Sequence, residues 1–323
     1  GDANLKIHIV GKTTLLNLKS KRKQVANLIR TINPDILRAY NPLLQGWLAV
    51  KTGKELGIPV VLSLAGDYDR DVRYFAKKNK DIKMYLKLIY TRKFLESYSI
   101  KNANAVVIIY EFVRKYAQDM GARDIHLIYN RIDLSQFSAK VEPIFEETKP
   151  VVLCVGRLMS EKNQECLIRA IKDLDVKLLL IGDGPQFEEL TKLVKELKIE
   201  KKVRFERKIP HNDIHRYYAS ADIFALPIKY GGFAIPVLEA AASGLPVILP
   251  KQEFETNPEL IKDFALLVDN NPESFKKAIQ KVLDEKDTRI AMINSGLEIV
   301  KKINSEIMEQ KEKDLYLSLI QKS

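Results

Sequence analysis

Cysteine is nearly missing. Cys154 and Cys166 are the only two among 323 residues, and each sits inside an apolar pattern. A disulfide framework and a cysteine metal site are thereby excluded, and reduced core thiols of a cytoplasmic protein are expected. Histidine is also scarce: of the four, His211 and His215 form an i, i+4 pair with no Glu or Cys beside them to complete a ligand set. They read as a surface pair, and no metal site is expected. No long uninterrupted apolar run occurs, because the longest candidate, Phe233–Pro250, carries Glu239 and three prolines, so a membrane-spanning helix is not expected. No signal-peptide pattern opens the sequence. Gly11-Lys12-Thr13-Thr14 lacks the first glycine of a phosphate loop, since Lys6 stands there, and no basic stretch interleaved with aromatics suggests nucleic acid.

What is present is an uneven charge and a regular alternation of strands and helices. Residues 1–147 hold 25 Lys and Arg against 15 Asp and Glu, whereas the rest hold 28 against 27. The basic first half would attract phosphorylated small molecules, an anionic lipid surface or nucleic acid, and charge alone does not choose among them. Between Ser138 and Pro150 the pattern breaks into Pro and Glu, where a linker is expected. The expected domains are therefore 1–147, 148–305 and a closing helix over 306–323.

In the first half the pattern predicts a strand at Leu5–Val10, a helix at Val25–Ile32 and a strand at Asp35–Arg38. A helix at Leu43–Leu56 closed by Gly57 and strands at Pro59–Leu64, Ala105–Ile109 and Ile125–Tyr129 follow. Asp67, Asp69 and Asp71 alternate after the Pro59–Leu64 strand and read as a solvated loop. Lys77–Tyr98 reads as one basic helix with Ile82, Tyr85, Leu86 and Ile89 on one face. That face either packs on its own domain or rests on an anionic membrane.

The second half alternates again, with strands at Val151–Val155, Lys177–Ile181, Val203–Glu206, Ile223–Ala225 and Leu245–Leu249. Parallel sheets with right-handed crossovers follow, and ligands of such sheets bind beyond the carboxyl ends of strands. Gly156, Arg157 and Lys162 occupy one such loop, where two cations could converge on a diphosphate or simply be solvated. Gly182-Asp183-Gly184-Pro185 reads as a turn. Gly231 and Gly232 then precede a helix started by Pro236 and stopped by Gly244, whose free N–H groups could seat a phosphate. Glu239 on that helix is either solvated or a carboxylate holding a polyol.

Gly156-Arg157-Leu158 with Lys162-Asn163, Ile181 to Pro185, Gly232 to Ala240 and Ser243 to Val247 resemble, in order and spacing, the GT-B glycosyltransferases of family 4. The resemblance covers about residues 33–285. It implies an α/β fold of two Rossmann-like domains facing across a cleft, with a C-terminal helix crossing back to the first. It implies a retaining hexosyltransferase using a UDP- or GDP-sugar without metal or other cofactor, and a glycan or lipid-linked acceptor, at the inner membrane face or in the cytoplasm. Arg157 and Lys162 would be catalytic, neutralising the departing diphosphate. Gly156, Lys208, Ile209, Gly232, Phe233, Ala234, Ile235 and Glu239 would bind the donor, Lys208 and Ile209 at the base and Glu239 at the ribose. The first strand and glycine loop of the family are not found before Pro34. Gly231 stands where the family usually has a second glutamate, and Ala65 where a histidine is common. Both departures fall on the sugar side, so a non-catalytic nucleotide-sugar-binding subunit is the alternative reading.

Overall fold

The computed structural model describes residues 8, 14, 17–78, 80–137, 141–145, 147–229, 235–251 and 264–321. They form two compact units, the first comprising residues 1–129 and 310–323, the second 130–309. The division thus falls at Asn130, upstream of the expected linker. The expected strand at Leu5–Val10 lies outside the described residues.

The first unit holds four parallel strands in the order β1 (Leu37–Ala39), β2 (Val60–Leu64), β3 (Ala105–Ile108) and β4 (Ile125–Leu127). Every residue of β2 and β3 is buried, as a strand covered on both faces requires, and this explains their unbroken apolar character. Helices Leu18–Ile32, Leu44–Leu56 and Val113–Asp119 belong to this unit, and Gly57 closes the second at φ 71° as expected. Arg38 on β1 donates to Ser63 on β2 at 3.1 Å and to the Tyr316 hydroxyl at 2.7 Å, and it also pairs with Glu312.

The single basic helix expected over Lys77–Tyr98 is instead broken. Short helix Phe75–Lys78 is followed by Lys80 at φ 56°, then by helix Ile82–Thr91, whose Asp81 cap accepts from the Met84 N–H at 3.0 Å. Wide π-helical turns at Asp69–Tyr74 and Arg92–Glu96 flank the excursion. The physical reason is a buried charge cluster. Glu96 is fully buried, and Arg73 donates to both its carboxylate oxygens at 3.0 and 2.9 Å. The Thr91 and Tyr116 hydroxyls donate to it at 3.0 and 2.5 Å. Asp69 bridges Arg73 and Arg92, so the solvated-loop reading of this aspartate is corrected. Burial alone would raise the Asp69 pKa, but hydrogen bonding from Arg92 and the charge of Arg73 hold it below its ordinary value. A straight helix could not bring positions 69, 73, 92 and 96 together; the π turns and the break at Lys80 do.

The second unit is a six-stranded parallel sheet, β5 (Val151–Val155), β6 (Lys177–Ile181), β7 (Val203–Glu206), β8 (Ile223–Ala225), β9 (Val247–Pro250) and β10 (Ala265–Val268). Its order is β10-β9-β8-β5-β6-β7, so the chain winds outward from β5 in one direction and from β8 in the other. Between these two central strands only Val152 with Ile223 and Leu153 with Phe224 are in register. The edge strand β10 was not expected from the sequence. Helix Pro272–Asp284 is set by Pro272 at its start and by the Asn271 side chain, which accepts from Ser274 at 2.9 Å. Helices Lys286–Lys302 and Ser305–Ile320 close the chain. Both cysteines are buried, and burial pushes each thiol pKa up to about 12. Among the described residues no helix is long and apolar enough to cross a membrane.

Candidate functional site

The reversal of winding between β5 and β8 marks the point where an open parallel sheet presents its loops on either side of a crevice. The loop after β5 carries Gly156, Arg157 and Lys162, and the loop after β8 leads to the Ile235–Ala242 helix. The two loops touch, since the Lys229 N–H donates to the Glu161 carbonyl at 2.8 Å. Both expected cations therefore stand at the reversal.

The β5 loop is held by its own backbone. Gly156 donates to Ile181 at 2.9 Å, Leu158 donates to Asp183 at 3.0 Å, and Gln186 donates to Leu158 at 3.1 Å. The 182–184 turn can approach this closely only because it is glycine-rich. A Cβ on Gly182, at φ 142°, would stand 2.1 Å from the Gly156 oxygen, and one on Gly184 would stand 2.3 Å from the Leu158 oxygen. The turn is thus the bed on which the Arg157 loop lies. Buried Gln164 donates from Nε2 to the Arg157 carbonyl at 3.0 Å.

Asn163, in the left-handed conformation at φ 56°, donates to the Asn270 side-chain oxygen at 3.0 Å. Asn270 in turn donates to the carbonyls of Pro227 and Ile228, each at 3.2 Å. The loops after β5, β8 and β10 are joined by one amide.

Arg157 is exposed and Lys162 is half-buried, and among the described residues neither is in an ion pair with a carboxylate. Burial pulls the Lys162 pKa below the ordinary lysine value, and the nearby Arg157 charge acts in the same direction while Glu161 opposes it. Two cations on one loop, neither in an ion pair among the described residues, can together meet an anion.

Glu239 is buried on the Ile235–Ala242 helix, so its solvated reading is corrected. The Tyr218 hydroxyl donates to its Oε2 at 2.6 Å, and burial followed by the Glu239 charge raises the tyrosine pKa far above its usual value. Ile235, at the start of the same helix, is exposed. Lys208 is exposed and Ile209 half-buried in the loop after β7. That loop is latched to the glycine turn by Arg207, which donates to Asp183 at 3.0 and 2.8 Å and holds its carboxyl below the ordinary range. Gly231, Gly232, Phe233 and Ala234 lie outside the described residues. Ala65 is exposed just beyond β2.

Sequence reasoning missed Tyr218, Asn270, Gln164 and the Arg207 latch. Their partners are distant in the chain, and the one local signal was the Asn270-Asn271 pair before a proline-started helix.

The family model for Glycosyl transferases group 1 matches residues 135–298, and that for Glycosyltransferase Family 4 matches residues 6–136. The chain belongs to the family 4, group 1 glycosyltransferases. It is 37% identical over 112 residues, 31% of this chain and 29% of the relative, to a GDP-mannose-dependent alpha-(1-6)-phosphatidylinositol monomannoside mannosyltransferase of Mycolicibacterium smegmatis. It is 27% identical over 240 residues, 70% of this chain and 53% of the relative, to a GDP-mannose-dependent alpha-mannosyltransferase of Corynebacterium glutamicum. The chain therefore spans about half or less of the length of these two relatives. A crystal structure of a glycosyltransferase from Rickettsia africae superposes with a TM-score of 0.76 at 18% identity, covering 98% of this chain and 85% of that one. This likeness shows the fold, and the expected α/β class with two parallel-sheet domains of GT-B type holds.

Proposed function

We propose that the protein is a retaining hexosyltransferase that takes its sugar from a nucleoside-diphosphate donor without a metal. The observation that carries the reading is the pair of cations, Arg157 and Lys162, in no ion pair among the described residues and set beside the sheet reversal by a glycine-backed loop. The bond from the anomeric carbon to the diphosphate oxygen breaks, and its electron pair stays on that oxygen. The new charge is met by the guanidinium of Arg157 and the ammonium of Lys162, which are in place before the reaction begins. The acceptor hydroxyl oxygen bonds to the anomeric carbon on the face the diphosphate leaves, and its proton passes to the departing diphosphate oxygen.

By the family resemblance Glu239 would hold the ribose, Ile235 and the 232–234 amides the sugar and phosphate, and the Lys208–Ile209 main chain the base; the burial of Glu239 beside Tyr218 supports a fixed carboxylate. Retention and metal independence rest on the family resemblance. The donor is a UDP- or GDP-hexose, and the GDP-mannose named for the two mannosyltransferase relatives supports the second. The acceptor is a glycan or lipid-linked, met in the cytoplasm or at the inner membrane face.

The test is nucleoside-diphosphate release from a panel of UDP- and GDP-sugars, with and without polyprenyl or glycolipid acceptors. Release from one donor is expected; calorimetry showing no binding of any donor overturns the reading. Exposed Ala65 in place of the family's common histidine favours the non-catalytic alternative. That alternative is supported if a donor binds, nothing turns over, and Gly231→Glu restores nothing.

A further inference from the structure

Large exposed apolar side chains are not spread evenly over the described residues. Of fifteen such residues, six fall between Ile82 and Phe94: Ile82 at 69% exposure, Met84, Leu86 at 60%, Ile89, Tyr90 and Phe94. Single exposed apolar residues are ordinary, but a contiguous group on one short helix is not. Ile82, Leu86, Ile89 and Tyr90 recur at helical spacing along Ile82–Thr91 and form one outward stripe. Leu88 alone of that helix is buried. The stripe extends into Phe94, whose ring lies 4.6 Å from that of Tyr90.

Charge beside the stripe is of one sign. Lys83 and Lys87 stand one turn apart next to it, Lys77, Lys80 and Lys93 lie just beyond, and all five are exposed. Between Phe75 and Leu95 the one acidic residue is Asp81, and it is used as the helix cap.

The excursion is not a loose flap. Its two ends are fastened by the buried cluster in which Arg73 reaches Glu96, and Arg73 also donates to the Leu88 carbonyl at 3.3 Å. A buried neck holds out an apolar stripe edged with lysine. From these observations we propose that the Ile82–Phe94 face docks on an anionic phospholipid surface, its aliphatic and aromatic side chains entering the headgroup boundary while the lysines meet lipid phosphates. An apolar protein partner would be served by the stripe but not by the ring of lysines, whereas a negatively charged bilayer is served by both. The inference stands on the first unit alone and goes beyond the transfer reading.

The experiment is co-sedimentation of the full chain with phosphatidylcholine vesicles, with and without phosphatidylglycerol, at low and high salt. Binding is expected to the anionic vesicles and to weaken with salt. Lys83→Ala with Lys87→Ala should lower it roughly thirtyfold. Leu86→Ser with Ile89→Ser should lower it by about a hundredfold, each lost apolar contact being worth roughly tenfold. Circular dichroism and donor calorimetry on the same variants keep folding and donor binding in view, so that a failed transfer reading shows separately. Wild-type protein that ignores anionic vesicles, or serine variants that bind as well as wild type, overturns the proposal. So does a stripe whose loss converts a dimer to a monomer in light scattering without changing vesicle binding.

Discussion

In the first unit Arg73 is 5% exposed and its guanidinium is locked onto a fully buried carboxylate, while apolar side chains a few residues away stand in solvent. In the second unit, among the described residues, Arg157 and Lys162 are in no carboxylate ion pair, and the hydrogen bonds made directly by the segment that carries them are between neutral groups. The contrast separates two uses of charge. A buried ion pair is expensive to break and weak as a handle for ligands. A cation kept unpaired on a rigid loop adds little to stability and is available to an incoming anion. Where the chain needs shape it neutralises its charges, and at the proposed site it leaves two of them without an ion pair among the described residues.

The contrast is broken most severely at Arg73. Replacing it by alanine strands the Glu96 carboxylate and should cost about 3–5 kcal/mol in denaturant unfolding, whereas Arg73→Met with Glu96→Leu should recover most of that loss. A single variant as stable as wild type would mean the cluster is not what fastens this region.

Lys162→Ala should lower kcat about a hundredfold to a thousandfold while leaving the unfolding midpoint in place. The reading is sharpened by pH. Because the Lys162 pKa is depressed by burial and the charged form is the active one, transfer should decline as pH rises through a value below that of ordinary lysine. Lys162→Arg should move that decline to higher pH, and a pH profile identical in the two proteins would count against the role.

The smallest effect is expected at Asn270, which binds no ligand in this account. Asn270→Ala releases Asn163 and the Pro227 and Ile228 carbonyls, at about 1 kcal/mol in stability. Donor KM should rise roughly fivefold with kcat nearly unchanged. A kcat loss as large as that of Lys162→Ala would place Asn270 in the chemistry itself.

Much of the second unit was legible in the sequence. β5, β6, β7 and β8 begin and end where alternation and flanking turn residues put them, because short apolar runs bounded by Gly, Asp and Lys leave little choice. β10 was overlooked because Ala265–Val268 is short and only partly buried, with no turn residues of its own at the start. The first unit was harder to read for a different reason. Helical periodicity through Lys77–Tyr98 is genuine, but it cannot report that Glu96 will be drawn inside by an arginine 23 positions earlier. Tyr218 escaped notice likewise, since nothing near it in the chain announces Glu239, 21 residues on. At the candidate site the cations were visible as a motif, and that neither is in an ion pair among the described residues became visible only in three dimensions.

The brief register between β5 and β8 has one more implication. Their pairing is finished by Leu153 and Phe224, so the chain beyond Ala225 departs from a notch rather than from a continuous rim. Just past Ala225 the Leu226 N–H still donates to Ile248 of β9 at 3.1 Å, and by Lys229 the chain has turned to the Glu161 carbonyl of the β5 loop. On the proposed reading, substitutions past the end of β8 would change which sugar is accepted while leaving the β5–β8 and β8–β9 pairings as they are.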